Sequence, residues 1–338
     1  MANTDASWPT FLDCAKRIGD KDASKILEVL TKTNEALEDV PVVECNQGMQ
    51  HVTTIRTGIP TPAWRMLNCG VPKGKSQTTQ IKVGCGMLES YSEVDKKLVD
   101  LAVRNGGKVA ATSYLDQENQ AFYLGFADKF AEAMFYGDNS DPKQPVGLCN
   151  YYNSTSAKSG ENIILASNSA TSGTNCSVWL VAWSPNSICG LYPQGSSAGF
   201  KQENLGEHTV QDGDGNQYQA YRSHFSWDFG FAVRDWRCAV RIANINFNNL
   251  KNDPKGTNTP KLIELMIKAY YKLPTEAHGY KLAFYAPREI ACALHLQALD
   301  KAQYQLSIDN VAGKPITSLL GIPIRRQDSL KHDEDALS

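Results

Sequence analysis

Between residues 46 and 88 the chain runs for 43 residues without one acidic side chain, while Arg56, Arg65, Lys73, Lys75 and Lys82 punctuate it. Within this basic island, residues 53–67 and 76–88 are rich in Thr, Ile and Val. Pro72, Gly74 and neighbouring lysines separate the two runs, which is the pattern of a two-stranded ribbon with a basic tip. Such a ribbon buries little and is marginal alone, so it needs a surface to lie on. No flanking segment supplies one, and a self-contained compact unit is excluded here.

The segment ahead of the island has the opposite character. Residues 1–45 carry nine acidic and five basic side chains, net −4, with Ile26, Val29, Leu30 and Leu37 at helical spacing after Asp22. Over the 338 residues, Lys+Arg 34 against Asp+Glu 36 gives a net charge of −2, which argues against a dedicated nucleic-acid binder. At 42% hydrophobic and 21% charged, the chain is ordinary globular material, long enough for two or three packed domains. Its nine cysteines are never closer than thirteen residues, so zinc-ribbon and C-x-x-C redox motifs are absent and free thiols of a reducing cytosol are expected. The first residues lack the basic region and apolar run of a signal peptide, and the longest apolar run, residues 178–183, is too short to span a bilayer.

The rest reads as α+β without regular alternation or repeats. Residues 116–136 place Phe122, Phe126 and Phe130 at i, i+4 and i+8, a helix with one aromatic stripe packed on a sheet, with Gly137 as a left-handed cap. Residues 153–177 hold seven serines and almost no charge, the composition of an exposed loop. Strands are expected at 178–183 and 187–192, and a long antiparallel ribbon at 217–246. Asn258-Thr259-Pro260 starts a helix that Pro274 stops, residues 281–285 form a strand, 287–299 a helix and 315–324 one final strand before an acidic tail.

Three motifs hint at chemistry. Gly195-Ser196-Ser197-Ala198-Gly199 matches the G-x-S-x-G nucleophile elbow, but Pro193 interrupts the preceding strand and no helical pattern follows. Gly70 to Ser76 resembles a phosphate loop with its first glycine one residue too close and a strand where a helix is required. Asp212-Gly213-Asp214-Gly215-Asn216 has Ser223 where a calcium loop needs glutamate, and reads as a tight turn into the ribbon. No reaction, cofactor or metal site emerges.

Ile59-Pro60-Thr61-Pro62-Ala63-Trp64-Arg65-Met66-Leu67-Asn68-Cys69-Gly70-Val71 and Cys85-Gly86-Met87-Leu88-Glu89-Ser90-Tyr91-Ser92-Glu93-Val94-Asp95 resemble the extended-loop region of a major capsid protein family of short-tailed phages. So do Phe231-Ala232-Val233-Arg234-Asp235-Trp236-Arg237-Cys238-Ala239-Val240-Arg241-Ile242-Ala243-Asn244-Ile245 and Thr317-Ser318-Leu319-Leu320-Gly321-Ile322-Pro323-Ile324. The likeness spans about residues 45–330 and implies the Hong Kong ninety-seven-type shell fold. It implies an N-terminal arm (1–52), an extended loop (53–90) and a peripheral domain with a spine helix (91–150). Mixed strands and a loop (151–216), a long peripheral ribbon (217–250), axial-domain helices and a strand (251–311), and a closing strand with the acidic tail (312–338) would follow.

The resemblance implies a non-enzymatic major capsid protein that self-assembles into pentamers and hexamers of an icosahedral head around double-stranded DNA, put together in the bacterial cytoplasm. Arg56, Arg65, Lys73, Lys75 and Lys82 are then expected on acidic surface of a neighbouring subunit, its N-terminal arm included. The segment ahead of the island is too short for a large internal scaffold, so a separate scaffolding protein is expected, along with a portal protein, a cement or decoration protein, and weak non-specific contact with packaged DNA. The competing class is a serine hydrolase built on Ser197.

Overall fold

The computed structural model describes residues 34–337 apart from 139, 142, 169, 212, 254–259, 300–305 and 312–313. The helix expected from Ile26, Val29 and Leu30 and the start signal at Asn258-Thr259 lie outside the described residues. In chain order come β1 (Val42–Glu44), β2 (Gln50–Gly58), β3 (Gln77–Asp95), helix α1 (Lys96–Tyr136), α2 (Leu148–Tyr151), β4 (Ile163–Leu165), β5 (Asn175–Trp183) and β6 (Ile188–Tyr192). Then follow β7 (Lys201–Gln211), β8 (Gln217–Val233), β9 (Ala239–Asn246), α3 (Phe247–Asn252), α4 (Leu262–Lys272), β10 (Lys281–Ala286), α5 (Arg288–Leu299), β11 (Leu306–Val311), β12 (Lys314–Leu319) and β13 (Ile322–Arg326).

One sheet carries the fold, in the order β11-β12-β13-β10-β5-β6-β8-β3-β2, with β1 beside β6, β7 beside β8, and β9 between β4 and β5. Its centre is dry: all nine residues of β5 are buried, as expected for a strand covered on both faces. Strands expected at 178–183, 187–192 and 281–285 fall in β5, β6 and β10, and the helices after Pro260 and Pro287 are α4 and α5.

The aromatic stripe packs by matched spacing. Four helical residues advance about 6 Å and two strand residues about 6.8 Å, so an i, i+4, i+8 stripe meets an i, i+2, i+4 row almost in step. Phe122 stacks on Phe225 at 5.2 Å, Phe130 lies 4.2 Å from Trp227 and 4.0 Å from Phe229, and Phe126 meets Phe200 edge-on at 5.1 Å. The helix starts at Lys96 rather than Asp116, capped by the Asp95 carboxylate, which accepts from the Lys97 amide at 2.8 Å. Its first half was hidden from a periodicity reading because Gly106-Gly107 interrupts it and Leu98 and Leu101 face solvent.

Gly137 ends α1 at φ −50, not in the left-handed region expected. Glycine is required there by crowding: a Cβ would collide with the Pro145 carbonyl oxygen and sit 2.6 Å from that of Ala133. Gly137→Ala should therefore cost about 2 kcal/mol or more, read as a lowered denaturant midpoint of the unassembled subunit, whereas an unchanged midpoint would show that the turn can open.

Four other expectations change. The island's strands pair only from Gln50↔Gly84 to Gly58↔Gln77, because Pro60 and Pro62, lacking amide donors, stop the first run well before residue 67. Residues 217–246 are no hairpin: β8 pairs with β7, β3 and β6, and β9 with β5 and β4, since Asp235 caps a 3-10 turn at Trp236–Cys238 that redirects the chain. The segment 153–177 is not wholly exposed. Asn162 donates to the carbonyls of Arg237 and Ala239 at 2.9 Å, β4 joins β9, and Cys176 and Ser177 are buried. The final strand is a hairpin, β12–β13, turning at Leu320 (φ 54) and Gly321 (φ 77), the two positive-φ positions of a tight turn in which leucine is an unusual occupant.

Candidate functional site

The β2–β3 finger ends in residues 59–76, every one of them exposed and outside regular structure. The two arms of this tip face each other, with Pro60 so near Gly74 that a Cβ on Gly74 would lie 2.8 Å from the Pro60 Cβ. A turn closes the end: the Cys69 amide donates to the Met66 carbonyl at 3.3 Å, and Asn68 takes φ 61, which asparagine tolerates better than most residues.

The tip holds the largest exposed apolar groups of the described chain. Trp64 is 105% exposed and Leu67 88%, with Ile59 and Met66 alongside. A cluster of this kind, on a segment with no core of its own, marks an interaction surface rather than a folding unit. The contact residues expected from sequence are the five cations alone, although apolar residues between prolines and lysines are the available signal for the rest.

The five predicted cations are strung along the finger rather than gathered. Arg56 lies on β2 opposite Thr78, Lys82 on β3 opposite Val52, and Arg65, Lys73 and Lys75 in the tip. All five are exposed, and among the described residues none makes an ion pair or side-chain hydrogen bond. At the root the ribbon becomes part of the body, where β3 pairs with β8 from Cys85↔Gly230 to Asp95↔Ala220.

Four of the nine leader acids lie among the described residues, and each of them has a partner within the subunit. Buried Asp39 accepts from the Tyr285 hydroxyl at 2.6 Å and meets Lys281 at 3.0 Å and Arg325 at 3.3 Å. Burial, then the Asp39 charge, pushes the Tyr285 phenol well above its ordinary value. Glu38 reaches Arg325 at 3.3 Å, Glu35 accepts from the Arg326 amide at 3.0 Å, and Glu44 from that of Gly195 at 2.8 Å. The other leader acids, Asp5, Asp13, Asp20, Asp22 and Glu28, lie outside the described residues.

In the acidic tail Asp333 and Asp335 are exposed, but Glu334 is buried and ion-paired with Arg241 at 2.9 Å, a pairing that no local sequence signal announces. Ser197 sits in a turn between β6 and β7, so the strand-to-helix elbow that would expose a nucleophile is missing. The phosphate-loop-like residues form the tip and lead into β3, again without a helix N-terminus. Among the described residues no group of three His, Cys, Asp or Glu is placed to hold a metal ion, and no helix is long and apolar enough to cross a membrane.

One family model and one solved structure show the family. The family model described as Major capsid protein GP7 matches residues 19–338. A chain of the cryo-EM structure of bacteriophage Epsilon15 is 34% identical, with 100% of this chain and 99% of that chain covered at a TM-score of 0.69. The bacteriophage JBD30 capsid is similar at 8% identity, covering 96% of each chain at a TM-score of 0.48. No curated protein matches the chain. A shell subunit accounts for a finger left incomplete by its own body, and the chain belongs to the phage major capsid protein GP7 family, with the Hong Kong ninety-seven-type α+β fold and a structural role in the icosahedral head.

Proposed function

We propose that the finger of each subunit lies across its neighbour, joining copies into the pentamers and hexamers of a head that encloses double-stranded DNA. The observation that carries this reading is Trp64, wholly exposed among the described residues, on a tip whose every residue is exposed. Arg56, Arg65, Lys73, Lys75 and Lys82 contact acidic surface of the neighbour, and the leader acids ahead of residue 34 are candidates for it. The net charge of −2 suits a wall along which packaged DNA slides without being gripped. Assembly takes place in the bacterial cytoplasm with a separate scaffolding protein, a portal protein at one vertex, and a decoration protein on the finished head.

Each exposed ion pair contributes only about 0–1 kcal/mol, but the shell repeats it in every copy. Lys73→Glu with Lys75→Glu should lower the heat and salt tolerance of assembled shells while leaving the unassembled subunit as stable as before. Shells matching the parent in both tolerances would remove these lysines from the contact.

A further inference from the structure

Two cysteines meet where the finger joins the body. Cys45 follows β1, and its sulfur lies 3.4 Å from that of Cys85, the first β3 residue to pair with β8 after the ribbon pairing ends at Gly84. We propose that Cys45 and Cys85 are a modification site, a dithiol that a small two-electron oxidant of the peroxide class closes to an intrachain disulfide at the finger root.

The backbone holds both residues in place. The Cys45 amide donates to the Tyr192 carbonyl and the Cys85 amide to that of Met49, each at 2.9 Å. Closure needs the sulfurs to approach by roughly 1.4 Å to reach a bond of about 2.05 Å, which side-chain rotation can supply. Room for the Cys85 sulfur is provided across the sheet by Gly230, where a Cβ would lie 2.9 Å from it. Access comes from a cavity of about 410 Å³ lined by Cys85, Asp141, Gln144 and Tyr151, wide enough for peroxide. Cys45 is buried and does not line the cavity, so Cys85 meets the oxidant first, while the hydrogen bond from Cys85 lowers the Cys45 thiol below its ordinary value and suits it to the second, ring-closing attack.

The chemistry closes without other reagents. The Cys85 sulfur attacks one peroxide oxygen, the O–O bond breaks, and the departing hydroxide takes the Cys85 proton, leaving a sulfenic acid and one water. The Cys45 sulfur then attacks the Cys85 sulfur. The S–S bond forms, the S–O bond breaks, and the leaving hydroxide takes the Cys45 proton as a second water. Two sulfurs have lost two electrons and peroxide has gained them. The ring so closed runs from residue 45 to residue 85 and contains β2 and the whole tip, so oxidation ties the finger's root covalently to the segment after β1.

The test treats the full-length unassembled protein with hydrogen peroxide, blocks remaining thiols with iodoacetamide and maps tryptic peptides. Cleavage after Lys32, Arg56, Lys82 and Lys96 puts Cys45 and Cys85 in separate peptides, 33–56 and 83–96. The expected result is that most of both peptides appear as one linked pair, released by dithiothreitol and retained in Cys189→Ser. Exposed Cys69 and Cys292 serve as internal references for oxidant dose. Peptides 33–56 and 83–96 still alkylated once those two have been consumed, or Cys45 linked to a different cysteine, would overturn the proposal.

Discussion

Glu334→Ala is expected to lower the unfolding free energy of the subunit by about 3–5 kcal/mol, because it strips the counter-charge from a guanidinium that has no access to water. The Arg241 and Glu334 side chains are each 5% exposed and 2.9 Å apart. Arg241 also donates to the Ser177 hydroxyl at 3.1 Å and the Tyr152 carbonyl at 2.8 Å, and lies over the Trp179 ring. The Glu334 carboxylate accepts from the hydroxyls of Ser177 and Tyr136 as well, and the Glu334 amide donates to the Asn175 carbonyl at 2.9 Å. One substitution thus leaves three buried donors without their acceptor.

Set against a typical total of about 5–15 kcal/mol, the loss brings the subunit close to unfolding at growth temperature. Denaturant melts of the unassembled protein measure it. Replacing Arg241 and Glu334 together with Met should cost less than Glu334→Ala alone, because no charge is then stranded. A Glu334→Ala midpoint equal to the parent's would mean that the tail is held by other contacts.

The second large effect leaves the subunit intact and removes the shell. Trp64→Ser with Met66→Ser and Leu67→Ser should abolish assembly while shifting the melt of the unassembled subunit by no more than about 0.5 kcal/mol, since exposed side chains contribute little to the fold. Burying about 200 Å² of an indole at about 25 cal/mol/Å² gives on the order of 5 kcal/mol per copy, several times what any exposed lysine pair supplies. The apolar tip therefore outweighs its cations, and the lysine reversals are predicted to weaken shells that the triple serine variant cannot form. Light scattering and electron microscopy separate these outcomes. Normal shells from the triple variant would place the binding energy elsewhere.

How much of this was legible in sequence depended on whether the determinant was local. The aromatic stripe of α1 could be read because helical period and burial coincide at Phe122, Phe126 and Phe130. The first half of the same helix could not, since Leu98, Leu101 and Val103 face solvent and Gly106-Gly107 breaks the pattern. The basic finger was visible as a charge inversion, and its early stop at Gly58 follows from two prolines. Partners across the sheet were hidden: alternation identifies β8 and β9 as strands but says nothing of whether they pair with each other. The pairing of Glu334 and Asp39 leaves no local signal because their counterparts, Arg241, Lys281 and Arg325, are brought to them only by the fold.

The central claim is that a neighbouring copy completes the finger, and a density map of one assembled particle tests it most directly. The predicted map shows Trp64 buried against the adjacent subunit, with Lys73 and Lys75 beside its carboxylates. A tip folded back on its own body, or standing free in solvent between subunits, would contradict it.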